Sequence, residues 1–187
     1  MTLDLDNVTR GVTGMVSVAP EGTALPTAVN SALNVAFDDL GWISEDGVTR
    51  AMPGTGDREV TRGWQNNGVV LIIRTPNDDN PTFSFVCLET KIEVVEFALG
   101  VTVTQSATDG KWTIDAEAAR DHRALVLDVV DGARLRRQAA PKAIVTELGD
   151  QVYRFGEPIG WEVTVEVERD AAIGGHLIEW DSAFATP

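Results

Sequence analysis

The chain has 187 residues, a formal net charge of −14, 43% hydrophobic residues and one cysteine, Cys87. That apolar content supports a core and excludes a globally disordered chain. The charge argues against binding nucleic acid through phosphate contacts, which need Lys and Arg, and a lone cysteine excludes a disulfide-stapled scaffold.

The N-terminal run MTLDLDNVTR is acidic and lacks an apolar stretch, so it does not read as a signal peptide. Residues 1–10 are expected to form an arm. The first predicted strand is GMVSVA (14–19), followed by the irregular, proline-bearing APEGTALPT (19–27). FDDLGWIS (37–44) is strand-like and leads into Asp46-Gly47, a hairpin-type dipeptide. AMPGTGDRE (51–59) then breaks the pattern with Pro53, Gly54 and Gly56. A connection this rich in glycine is either a mobile tip or a segment that orders on a partner. GTGDRE begins like a phosphate-binding loop but lacks a third glycine and a following helix, so a nucleotide site is not predicted.

REVTRGWQ (58–65) and VVLIIRT (69–75) flank Asn67-Gly68, the second hairpin signal. VVLII is the longest aliphatic run and is far too short to span a bilayer. NDDNP (77–81) offers oxygen ligands but lacks the spacing, Gly and Glu of a calcium loop, and reads as a turn. TFSFVCL (82–88) is the next strand, with Cys87 as a small buried hydrophobe.

The one helical pattern lies in LETKIEVVEFALG (88–100). Leu88, Ile92, Val95 and Leu99 recur at i, i+4, i+7 and i+11, and Glu89, Glu93 and Glu96 form an acidic face. Thr90 and Glu93 have capping-box spacing, and Gly100 stands where a left-handed terminator is wanted. A helix over about residues 89–99 is expected, burying Ile92, Val95 and Leu99 with the three glutamates wet.

Strand-like runs resume with VTVTQS (101–106) and KWTIDA (111–116) around Asp109-Gly110, then ALVLDVV (124–130) and the Asp131-Gly132 turn. ARLRRQ (133–138) holds the densest positive charge, at Arg134, Arg136 and Arg137. Two readings stand for it: a patch that meets acids of a neighbouring copy, or an exposed hairpin tip. KAIVTEL (142–148) follows, then the loop signal Gly149-Asp150. WEVTVEVE (161–168) alternates Trp161, Val163, Val165 and Val167 with Glu162, Thr164, Glu166 and Glu168. Its carboxylate row (Glu162, Glu166, Glu168) is either a solvent-facing strand surface or an acidic wall facing something polyanionic. Residues 170–187 break at Gly174-Gly175 and read as a C-terminal arm.

Many short strands with one helix predict a mainly β (α+β) fold, an antiparallel β-sandwich or barrel over residues 11–169 with the helix packed on it. The two histidines, His122 and His176, are far apart in sequence, and no hydrolase, zinc, P-loop or dinucleotide motif is present. No catalytic residue, metal or cofactor is predicted.

GMVSVAPEGTALPT, FDDLGWISEDGVT, GWQN, TFSFVCLETKIEVVEFALG and EPIGWEVTVEV, in that order, resemble the major tail proteins of long-tailed, siphovirus-type bacteriophages, especially those of actinobacterial hosts. The likeness covers about residues 14–167. It implies a virion protein assembled in the host cytoplasm into stacked hexameric rings around a tape-measure protein. The resulting channel, closed by terminator and distal tail proteins, would conduct DNA without binding it specifically, and no membrane insertion is implied. The family's inter-ring loop corresponds to Met52, Pro53, Gly54, Thr55, Gly56, Asp57 and Arg58. An acidic lumen repels phosphate, and Glu162, Glu166 and Glu168 are the candidates for it. The alternatives are a tail terminator or distal tail protein, or a carbohydrate-binding β-sandwich that stacks sugars on Trp42, Trp64 or Trp112.

Overall fold

The computed structural model describes residues 8–77, 79–106, 108–115, 117 and 119–185. The N-terminal arm expected at 1–10 therefore lies largely outside the described residues, as do Asp78 of NDDNP and Ala116 of KWTIDA.

The elements run β1 (Thr13–Pro20), β2 (Asp38–Asp39), β3 (Ile43–Ala51), β4 (Asp57–Arg62), β5 (Val69–Thr75), β6 (Thr82–Cys87), α1 (Ile92–Leu99), β7 (Thr104–Gln105), β8 (Gly110–Lys111), β9 (Arg123–Asp131), β10 (Arg134–Leu148), β11 (Trp161–Val167) and β12 (Ile178–Asp181). The principal sheet has the order β2-β1-β9-β10-β11-β6-β3, with β12 also paired to β10, and β4-β5 and β7-β8 form separate ribbons. All pairings are antiparallel. The fold is β-rich with one short helix, as expected, and the sheet does not close into a barrel.

It comes near to closing. β2 and β3 lie at opposite ends of the strand order, yet only residues 40–42 separate them in the chain. A connection that short reaches about 14 Å at most, so the sheet must curl until its ends meet. Leu40 stitches the seam: it is fully buried and its N–H donates to the Val16 carbonyl at 3.0 Å.

Strand alternation fills the interior. Trp161, Val163, Val165 and Val167 of β11 and Phe83, Phe85 and Cys87 of β6 are all buried, with Val16, Val18, Leu125 and Leu127 facing the same core. Burial, with Asp39 and Glu89 nearby, pushes the Cys87 thiol up to about 12, so it stays protonated and inert. The long β10 carries Pro141 at a register shift between Ala140 and Ala143, where a missing N–H is tolerated. Before that bulge β10 pairs with β12, and after it with β11.

α1 is shorter than the 89–99 expected. No side chain caps its N-terminus. Thr90 instead accepts from the Trp161 indole N–H (3.3 Å), and Glu89 accepts from the Trp42 N–H (2.9 Å) and pairs with Lys91. Tertiary partners have taken the capping groups. The buried face is Val94, Val95, Phe97 and Ala98, packed with the sheet core, while Ile92 and Leu99 are only half-buried. Glu96 is not simply wet, since it accepts from the Val103 N–H at 2.8 Å. Gly100 terminates the helix as expected, with φ +65° and its N–H on the Glu96 carbonyl.

β12 lies inside the segment expected to be a free C-terminal arm, and charge fastens it to the sheet. Arg134 grips Asp181 with two hydrogen bonds of 3.0 and 2.9 Å, and Arg136 and Arg50 both reach Glu179. The bond from Arg134 holds Asp181 below its ordinary value. Burial pushes Glu179 upward, but the bonds from Arg136 and Arg50 outweigh it and leave it lowered. A carboxylate depressed in the fold contributes stability above its unfolded pKa and loses it as pH falls through the folded value. β12 is therefore expected to be firmly held at neutral pH and to loosen as pH drops below about 4, the ordinary carboxylate range. Amide-exchange protection factors for residues 178–181 check this, and protection unchanged down to pH 3 would contradict it.

Candidate assembly surfaces

β4 and β5 form a two-stranded ribbon that hydrogen-bonds to no other strand. Two-stranded ribbons are marginal in water alone. This one is also apolar on the outside: Val69, Val70, Leu71, Ile72 and Ile73 are 45–70% exposed. Its end is well specified, with Gly63 N–H donating to the Gly68 carbonyl (2.9 Å), Gly68 N–H to Asn66 Oδ1 (2.9 Å) and Asn67 at φ +52°. Trp64, at this tip, is 95% exposed.

The segment Met52–Arg58, expected to correspond to the inter-ring loop, lies at the base of this ribbon rather than at its tip. Residues 52–56 link β3 to the ribbon, and Asp57 and Arg58 form its base, opposite Thr75 and Arg74. The tip is residues 63–68. Gly56 has φ +86°, and a Cβ there would come within 2.0 Å of the Thr75 carbonyl oxygen, so only glycine lets the chain enter the ribbon here.

Register puts Arg58, Val60, Ile72 and Arg74 on one face of the ribbon. Arg58 and Arg74 stand directly opposite each other, and like charges so placed are destabilising. Neither has an ion-pair partner among the described residues.

The second unusual surface is a groove of about 710 Å³ where the curled sheet fails to close. Residues 11–16 of the β1 side and 42–48 of the β3 side form its walls, and Leu127 and Val129 line it. β3 changes register between Ile43 and Val48, with Gly47 at φ +69°. The Asp46-Gly47 dipeptide is thus a bulge within β3 rather than a hairpin turn, and it presents Glu45 and Asp46 to the groove.

The arginines read as either a neighbour-facing patch or an exposed hairpin tip are ion-paired within the chain, with Arg134 Nη1 buried and unpartnered among the described residues. Arg134 and Arg136 hold β12, as above. Arg137 makes a buried two-bond pair with Asp128 (2.6 and 2.7 Å) and donates to the Ser31 carbonyl at 2.6 Å. The acidic row keeps its outward orientation, but its members differ. Glu162 is exposed, Glu166 accepts from Asn80 at 2.6 Å, and Glu168 is neutralised by Lys142 at 2.6 Å with His122 at 3.2 Å. The bond from Lys142, then that from His122, holds Glu168 below its ordinary value. Across the same outer face, Ser84 and Thr164 share a hydrogen bond of 3.1 Å.

His176 sits 3.1 Å from Asn80. Among the described residues no group of three His, Cys, Asp or Glu side chains is placed to hold a metal ion. Among the described residues no helix is long and apolar enough to cross a membrane. Of the exposed tryptophans, Trp42 lines the groove and Trp64 tips the ribbon, whereas Trp112 follows β8.

A β framework with an uncovered strand ribbon and an open sheet seam presents surfaces for other chains. The family model for phage tail tube proteins matches residues 1–183, and the chain belongs to that family. It is a structural protein of the virion tail. No curated protein matches the sequence.

Proposed function

We propose that this chain is the repeating subunit of the tail tube of a siphovirus-type phage, of the actinobacterial-host group its segments resemble. Subunits form hexameric rings in the host cytoplasm, and the rings stack around a tape-measure protein. The channel left behind conducts the genome at ejection, with terminator and distal tail proteins at its two ends. The carrying observation is the β4-β5 ribbon: five aliphatic side chains in succession stay wet in the monomer. Covering each one contributes about 1 kcal/mol, since each is roughly half exposed. A tube needs one set of contacts that closes a ring and another left open for stacking, and the ribbon, with residues 52–58 at its base, suits the stacking role.

The four strands β3, β6, β11 and β10 support a channel-lining reading. Their outer face carries Thr49, Ser84, Thr164 and Glu147 in one cross-strand row, with Glu162 and Glu166 beside it. A polar, acidic wall repels phosphate and lets DNA slide. β3 is an edge strand, and pairing it with a neighbouring copy would satisfy its open backbone groups. Gold-labelled antibody against this chain should decorate virions along the whole tail. Label confined to one end of the tail would contradict the tube reading and favour a terminator or distal tail protein.

A further inference from the structure

We infer that the groove between β1 and β3 is the socket for the β4-β5 ribbon of a second copy of this chain, with Arg58 and Arg74 of the ribbon meeting Glu45 and Asp46 of the socket.

Four observations carry this. The ribbon face bearing Arg58, Val60, Ile72 and Arg74 is apolar at its centre and basic at its base. The socket is complementary, with apolar lining from Met15, Trp42, Val48 and Val129 and an acidic rim at Glu45 and Asp46. Arg58 and Arg74 have no ion-pair partner among the described residues, and the two repel each other until an acid approaches. Finally, the ribbon departs from the Ala51 end of β3, whereas the socket lies along its Ile43–Val48 end, so a second copy is the natural occupant.

Ribbon and socket are different surfaces of one chain. Their contact is therefore head-to-tail and propagates from copy to copy, as stacking requires. Insertion would also cover backbone at the unpaired edges of β1 and β3, the usual reward of adding a strand to a sheet. This assignment rests on the tube reading and names the contact behind it.

The test has two arms. Arg58→Glu with Arg74→Glu, or Glu45→Arg with Asp46→Arg, should each raise the concentration needed for assembly at least about tenfold. The four changes together should restore assembly, because the charges are then exchanged. The second arm joins Asp46→Cys and Arg74→Cys in one chain and treats it with a short bismaleimide. A ladder of linked multimers is expected, and each single variant should stop at dimers. If wild-type chains build tubes but the double cysteine variant gives no ladder and the exchanged charges no rescue, the socket is overturned and the tube reading stands. A ladder without tubes upholds the socket and overturns the tube. Neither ladder nor tubes overturns both.

Discussion

Replacing residues 58–74 by a short Gly-Ser turn is expected to leave a folded monomer that no longer builds tubes. The ribbon hydrogen-bonds to no other strand, so its loss removes no ladder from the principal sheet. None of Val69, Val70, Leu71, Ile72 and Ile73 belongs to the buried core. With no core residue and no principal-sheet hydrogen bond removed, the urea midpoint should hold. Assembly should fail outright, since the largest uncovered apolar strand is gone. Urea unfolding and electron microscopy on the same preparation check both halves. Long tubes from the shortened chain would contradict the role given to the ribbon, and an unfolded product would contradict its independence from the core.

Arg137→Ala is expected to lower the free energy of unfolding by about 3–5 kcal/mol, the cost of breaking a buried ion pair from one side. Arg137 and Asp128 face each other across β9 and β10, with side chains only 7% and 8% exposed. Truncating the arginine strands a carboxylate in a dry site and removes the donor to the Ser31 carbonyl that holds residues 28–31 against the sheet. Changing both members, Arg137→Met with Asp128→Leu, should recover most of the loss, because removing both charges removes the desolvation penalty. Urea midpoints for the wild type and the two variants check this. Equal losses in the single and double variants would show that packing, rather than the stranded charge, sets the cost.

Local features were legible in the sequence where a short-range rule decides them. The Asp131-Gly132 signal marks the tight turn between β9 and β10 to within one residue, the turn residues being Gly132 (φ +61°) and Ala133, and the alternation of Trp161 to Val167 gives a strand with one buried face. Gly100 ends the helix as its position demands. Features set by distant partners were not legible. Thr90 and Glu89 have the chemistry of helix caps, but Trp161 and Trp42 recruit them. VTVTQS and KWTIDA alternate like full strands, yet among the described residues only Thr104–Gln105 and Gly110–Lys111 pair.

The candidate sites follow the same division. Three arginines close in sequence suggest a free basic patch, but their acids come from β9 and from β12, as many as 47 residues away. The carboxylates of β11 do share one face, and it took the fold to bring Lys142 and His122 to Glu168. MPGTGDRE stands out by its glycines, whereas VVLIIRT reads only as a strand beside Asn67-Gly68. Only the absence of any sheet over β5 reveals it as the uncovered surface. The groove had no sequence signal beyond the Asp46-Gly47 dipeptide, which marks a bulge as readily as a turn.

The most direct measurement is electron microscopy of the purified protein across concentration, with and without tube ends taken from virions as seeds. The tube account predicts long filaments of uniform width with a central channel and six-fold end views. Monomers that ignore the seeds at every concentration would contradict it.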